Sequence, residues 1–133
     1  MRFGFFLGAA FQIQDDLLNL TGDEVRYGKE LNGDLHEGKR TLMLIRLLHE
    51  GDPSERDRIG EMLARPRAER TLADVRWVRE RMAARGCFEY ARQVAHGLAG
   101  AARHEMEQLY AGLPDSRDRR FIEALPHWVL ARS

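Results

Sequence analysis

Apolar residues recur along most of this chain every three or four positions, between segments rich in glycine and proline. That spacing predicts amphipathic helices, because residues three and four apart share one helix face. No alternation of apolar and polar residues is long enough to predict a strand. The fold class is therefore expected to be all-α. The predicted helices are residues 3–20, 39–50, 53–65, 72–85, 87–111 and a last helix that starts after residue 116.

Short polar residues mark where several of these helices begin. Asp52 is placed as an N-cap, Pro53 stands at the first helical position, and Glu55 can complete a capping box. Thr71 and Ser116 are expected to cap later helices with their hydroxyl groups.

Four features bear on how the helices pack. The segment KRTLMLIRLLHE, residues 39–50, is apolar nearly all round, which predicts an interior helix. Gly97 and Gly100 each cost a helix about 1 kcal/mol relative to Ala, so close packing against a neighbouring helix is expected to compensate. Pro126 is expected to kink or restart the last helix. Residues 21–37 contain several glycines and are interpreted as a loop or a broken helix.

The first predicted helix carries polar side chains on one face. Successive helical residues turn by about 100°, so positions three, four and seven apart fall within one quadrant. The polar quadrant contains Gln12, Asp15, Asp16 and Asn19. The apolar side contains Ile13, Leu17 and Leu20.

Two adjacent carboxylates repel each other, and burial would raise the pKa of one unless a cation lies between them. Oxygen ligands in an incomplete protein shell suit magnesium, which takes its other ligands from water and substrate phosphates. Lys29, Lys39 and Arg40 follow the carboxylates and would face such a phosphate. The combination predicts a site for a metal and a polyanion together. The alternative for an Asp-Asp pair taken alone is a solvated helix face.

Two motifs identify a family that this chain resembles. FQIQDDLLNLTGD resembles the FQxxDDxxD helix of the all-trans isoprenyl diphosphate synthases, the polyprenyl synthetase family, and YGKELNGDLHEGKRT resembles their GKxxGxDxxxGKxT loop. Weaker similarity continues through ARGCFEYARQVAHGLAGAARHEMEQL. The resemblance implies that residues 1–133 are the C-terminal part of a single all-α prenyltransferase domain, a portion of the helical bundle of the isoprenoid synthase fold. The family's first aspartate-rich motif and its earlier Gly-Lys-Arg segment do not occur in this sequence.

The resemblance also implies a reaction in isoprenoid biosynthesis. Family members condense isopentenyl diphosphate with an allylic diphosphate in the presence of Mg²⁺, and so make a longer trans-polyprenyl diphosphate. The enzyme implied is a polyprenyl diphosphate synthase of the geranylgeranyl or farnesyl type. The chain on its own is expected to be inactive. It is expected to work as part of a homodimer or of a complete synthase.

The family's functional residues carry over to positions that match its motifs. Asp15 is then a direct ligand of Mg²⁺, Asp16 is a second ligand or holds a metal-bound water, and Gln12 forms hydrogen bonds in the same shell. Lys29 binds the allylic diphosphate, with Lys39 as an auxiliary cation.

Two further positions follow from the same motifs. Asp34 is expected to anchor the loop or to hold metal-bound water. Asn19 departs from the family pattern, because it replaces the third aspartate and leaves one carboxylate fewer.

A second class of function stays open at this point. The chain could be a non-catalytic truncated paralogue, or a regulatory helical subunit that pairs with a complete synthase. A related terpene cyclase is disfavoured, because the Asn-Asp/Ser/Glu magnesium motif of that group does not occur in the sequence.

The amino-acid composition narrows the classes of molecule that are expected to bind this chain. The 21 basic and 21 acidic residues leave a formal net charge of zero, which does not favour nucleic acid or an anionic membrane as a partner. The arginines between residues 67 and 85, Arg70 among them, are interpreted as partners of local acidic residues. No stretch approaches the roughly 18 apolar residues of a transmembrane segment. With the single Cys87, this predicts a cytoplasmic protein without a disulfide.

Overall fold

The computed structural model describes residues 2–21 and 33–132, and in these ranges it contains helices and no strand. The all-α prediction is confirmed. The described helices are α1 (Arg2–Thr21), α2 (Gly33–Glu37), α3 (Leu42–Glu50), α4 (Pro53–Ala64), α5 (Leu72–Ala84), α6 (Cys87–Tyr110) and α7 (Arg117–Ala131), with a 3₁₀ turn at Arg67–Glu69.

The described residues divide into two compact units. The central unit takes its residues from 16–91, and the terminal unit takes its residues from 1–15 and 92–133. One boundary falls between Asp15 and Asp16, so consecutive residues of α1 belong to different units.

The caps of three helices agree with the sequence prediction. The Asp52 carboxylate accepts the Glu55 N–H at 2.8 Å, and Glu55 Oε1 accepts the Asp52 N–H at 3.4 Å, with Pro53 at the first helical position. The Glu55 N–H thereby holds the pKa of Asp52 below its usual range. Thr71 and Ser116 accept N–H groups in the first turns of α5 and α7 at 3.1 Å each.

The start and burial of α3 differ from the prediction. The helix begins at Leu42 rather than at Lys39, because the Thr41 hydroxyl accepts the Leu44 N–H at 3.2 Å and caps it. The expectation of an all-round interior helix is wrong, since the Ile45 side chain is 52% exposed. The buried stripe contains Met43, Leu44 and Leu47, and α3 packs against α4 and α5.

Each unit has its own buried residues. In the central unit, α3, α4 and α5 bury aliphatic and Met side chains: Met43, Leu44, Leu47, Ile59, Met62, Val75, Val78 and Met82. In the terminal unit, Ala10, Ala99 and Val129 form a small core. Three partly buried residues pack against it: Leu7, Leu98 and Leu130.

Two sequence expectations concern α6 and α7, and the one about α6 is wrong. Among residues 2–21 and 33–132, a Cβ atom at Gly97 or Gly100 would meet no atom within 4 Å, so close packing against another described helix does not compensate for these glycines. Of the two outcomes expected at Pro126, the restart does not occur, because α7 continues through Pro126 to Ala131, and the kink stays a prediction. Burial of Pro126 opposes the cost of the backbone hydrogen bond that proline cannot make.

Thr41 offers a test of this local structure, because it is 2% exposed and its hydroxyl satisfies a buried N–H group. We expect Thr41→Val to lower the free energy of unfolding by about 1–2 kcal/mol, since the cap is lost at nearly constant volume. Urea unfolding followed by circular dichroism measures the change. Thr41→Ser keeps the hydroxyl and should lose less; equal losses would contradict the capping role.

Candidate functional site

The two aspartates of α1 differ in exposure. The Asp16 side chain is 8% exposed, whereas that of Asp15 is 55% exposed. Gln12 is also exposed, and Asn19 is half-buried. The residues of the predicted polar quadrant therefore do not share one environment, and Asp16 is buried as are Leu17 and Leu20.

Asp16 is paired with a cation inside the central unit. Lys39 Nζ lies 2.5 Å from Asp16 Oδ1 and 3.9 Å from Asp34 Oδ2. Because a carboxylate removed from water is costly unless a positive charge faces it, the Lys39 ammonium offsets part of the cost of burying Asp16. This contact brings together the aspartate-rich helix and the Gly-Lys turn.

Asn19 and Asp34 are joined through the backbone. Asn19 Oδ1 accepts the Asp34 N–H at 3.0 Å, near the start of α2. The side-chain oxygen of Asn19 therefore anchors the loop. Asp34 in turn contributes its carbonyl oxygen, which accepts the Lys39 N–H at 2.9 Å.

A tight turn at Gly38 sets the direction of Lys39. Gly38 donates its N–H to the Leu35 carbonyl at 3.1 Å and has a φ of 73°, in the left-handed region that favours glycine. A Cβ atom there would also stand 2.8 Å from Arg70 Nη1. Glycine is required at position 38 by both the backbone and the close approach of Arg70.

Arg70 is a residue of this region that the sequence analysis missed. Its guanidinium donates to three carbonyl oxygens, those of His36 at 2.7 Å, Met62 at 3.2 Å and Leu63 at 3.0 Å. The interpretation of Arg70 as a partner of local acidic residues is wrong, because its acceptors are backbone carbonyls at the ends of two helices. No motif could have revealed them, since His36 lies 34 positions away.

Asp15 has a cation of its own in the terminal unit. Arg132 Nη2 lies 3.3 Å from Asp15 Oδ1, and the Arg132 guanidinium carbon lies 4.1 Å from the centre of the Phe11 ring. Gln14 Nε2 donates to the Arg132 carbonyl at 3.2 Å. Arg132 is the second cation that sequence reasoning missed, because it lies 117 positions from its carboxylate.

The structure adds less about the other residues for which the sequence predicts a role. Lys29 lies outside the described residues, and Arg40 is exposed. Within residues 2–21 and 33–132, no group of three or more His, Cys, Asp or Glu side chains could hold a metal ion. Burial raises the pKa of the Cys87 thiol, which disfavours the reactive thiolate. In the same ranges, no helix is long and apolar enough to cross a bilayer.

Comparisons of this chain with known proteins agree on one family. A sequence profile of the family described as Polyprenyl synthetase matches residues 1–82, more than half of the chain. The octaprenyl diphosphate synthase of Escherichia coli (strain K12) is 34% identical over 130 residues, which are 98% of this chain and 38% of that protein. The short chain isoprenyl diphosphate synthase of Methanothermobacter thermautotrophicus is 32% identical over the same shares of the two chains.

Solved structures agree with this result. The crystal structure of a polyprenyl synthase from Caulobacter crescentus, complexed with calcium and isoprenyl diphosphate, matches with a TM-score of 0.82 and 30% identity over 98% of this chain. The geranylgeranyl pyrophosphate synthetase of Pyrococcus horikoshii matches with a TM-score of 0.81 and 26% identity over 99% of this chain. In both cases the chain spans 38% of the solved chain. These all-α matches confirm the fold class, and with the family profile they establish that the chain belongs to the polyprenyl synthetase family.

Proposed function

We propose that this chain supplies a diphosphate-binding part of a prenyltransferase that condenses isopentenyl diphosphate with an allylic diphosphate. The product would be a longer trans-polyprenyl diphosphate for isoprenoid biosynthesis. The observation that carries the proposal is the contact of Lys39 with buried Asp16, which joins the two motifs of the family. The names of the relatives support it, since each is a synthase of an isoprenyl diphosphate.

The donor set fits Mg²⁺ as the metal. Asp15 and Asp16 would hold the ion, and a protein shell with few carboxylates suits a cation that keeps water and takes phosphate oxygens. Each carboxylate already lies beside a positive group, Arg132 for Asp15 and Lys39 for Asp16, and a bound ion would replace that partner or share the carboxylate with it. Magnesium, when bound, would neutralise charge on a leaving diphosphate. The Caulobacter crescentus polyprenyl synthase was solved in complex with calcium and isoprenyl diphosphate, which supports a divalent ion and a diphosphate as ligands.

The oxygen of Asn19 is already engaged by the Asp34 N–H, which supports a positioning role rather than a ligand role. Lys29, Lys39 and Arg40 would bind the diphosphate oxygens as cations. Lys39 would have two tasks, since it is 42% exposed and can face solvent as well as Asp16. Gln12 would form hydrogen bonds around the metal-bound water.

The proposal assigns the reaction to the cytoplasm and to a synthase subunit or homodimer. The matched relatives are longer than this chain, which spans 38% of their length. We expect the 133 residues alone to bind magnesium and diphosphate without turnover.

Inorganic pyrophosphate provides a probe for this site. We expect Asp16→Asn to weaken Mg²⁺-dependent pyrophosphate binding by about 10-fold or more, because a neutral amide removes a charged metal ligand at constant size. Isothermal titration calorimetry, with and without Mg²⁺, measures the affinity. Asp57→Asn, an exposed acidic position on α4, is the matched control and should retain wild-type affinity. Unchanged binding in Asp16→Asn would exclude Asp16 as a ligand.

Turnover separates Asp15 from Asn19. In the enzyme that contains this chain, Asp15→Ala should remove most of the Mg²⁺-dependent activity, because a metal ligand is lost. Asn19→Ala should cost much less, because it loosens only the hydrogen bond to the Asp34 backbone. The assay is incorporation of labelled isopentenyl diphosphate into a longer polyprenyl diphosphate. The reverse order of losses would refute both assignments.

A further inference from the structure

Arg70 lies outside both family motifs but touches the backbone that carries Lys39. We propose that Arg70 is a positioning residue that holds Lys39 against Asp16, and that it thereby sets the affinity for a metal-bound diphosphate. This inference rests on the proposed function for the ligand, but not for the position of Lys39.

The guanidinium of Arg70 ties two helix ends together. It donates to the His36 carbonyl in α2 and to the Met62 and Leu63 carbonyls in the last turn of α4. Helix ends leave carbonyl groups without intrahelical donors, and the planar fork of arginine can serve several of them at once. Lysine, with a single ammonium group, cannot reproduce this geometry.

Only two residues separate His36 from Lys39. Two backbone hydrogen bonds hold the turn that contains them. Gly38 donates to the Leu35 carbonyl, and Lys39 donates to the Asp34 carbonyl. A displacement of the His36 carbonyl is therefore passed on to the backbone of Lys39. Arg70 also packs directly on the turn, since its Nη1 lies 2.8 Å from the position of a Cβ atom at Gly38.

Arg70 is itself held on both sides. Thr71, the next residue, forms a reciprocal capping box with Asp74, with hydrogen bonds of 3.0 and 3.1 Å. Arg65 lies 2.9 Å from the same Asp74 carboxylate and donates to the Glu69 carbonyl at 3.3 Å. The base from which Arg70 reaches α2 is therefore fixed by local bonds.

A second link to α2 is weaker. Arg67 Nε lies 2.7 Å from Glu37 Oε1, but the two side chains are 54% and 61% exposed. Solvent screens an ion pair of that kind. The half-buried Arg70 therefore carries most of the connection between the 3₁₀ turn and α2.

A double-mutant cycle tests whether Arg70 acts through Lys39. The four proteins are wild type, Arg70→Met, Lys39→Met and the double variant, and the probe is inorganic pyrophosphate with Mg²⁺. We expect Arg70→Met to weaken binding by about 10-fold, and to change it less than about twofold when Lys39 is already Met, as coupled residues do. Arg70→Lys should rescue only part of the affinity, because a single ammonium nitrogen cannot span the carbonyls of both helices. Arg76→Met, at an exposed position on α5, is the matched control and should bind as wild type does.

Two further measurements keep the result decisive. Hydrogen exchange of the Gly38 and Lys39 amides should accelerate in Arg70→Met, while amides near Ala99 in the terminal unit should not change. If Arg70→Met fails to fold, the same exchange and binding measurements are made on Arg70→Lys, which keeps the positive charge and should show a smaller acceleration at Gly38 and Lys39 and a smaller loss of affinity.

The outcomes separate this inference from the proposed function. Independent, multiplicative losses in the double variant would show that Arg70 acts on general stability and would overturn the inference. Wild-type exchange at Lys39 in Arg70→Met would overturn it as well. A wild-type protein that does not bind pyrophosphate with Mg²⁺ would refute the proposed function, whereas the exchange data would still decide whether Arg70 positions Lys39.

Discussion

A carboxylate that is almost fully removed from water is the constraint on which the central unit depends. The Asp16 carboxylate is buried beside a positive partner, because Lys39 Nζ lies 2.5 Å away. Lys39 can reach it because the preceding turn has glycine at position 38, where φ is 73°. The backbone geometry at Gly38, more than twenty residues after Asp16, thus allows the Lys39 ammonium to reach the Asp16 carboxylate.

The neighbouring carboxylate is held quite differently. Asp15 is 55% exposed and is paired with Arg132 in the terminal unit. Consecutive acidic residues therefore have separate cations and separate degrees of solvation.

Arginine has a structural role in this chain that charge counting does not reveal. Arg70 donates to backbone carbonyls, and Arg85 pairs with the buried carboxylate of Glu55, which is 6% exposed. In one case the cation serves carbonyls at helix ends, and in the other it faces a buried carboxylate. The formal net charge of a sequence bears on solubility and on binding partners. The value of zero does not reveal the contacts that these arginines make inside the fold.

The sequence by itself determined the features that depend on near neighbours. Asp52, Thr71 and Ser116 cap their helices because an N-cap and its partner lie three residues apart. The two family motifs are local in the same way, because each is a short stretch that is identified by its residue types and their spacing. Helical periodicity was sufficient for the all-α class.

Only the tertiary structure decided the burial of Asp16 and the partners of Arg70 and Arg132. Those contacts join positions 23, 34 and 117 residues apart, and no local pattern specifies such pairings. For the same reason, the open surroundings of Gly97 and the exposure of Ile45 contradicted the sequence predictions. Local hydrogen bonds are fixed by covalent proximity, whereas burial depends on which other segment packs against a residue.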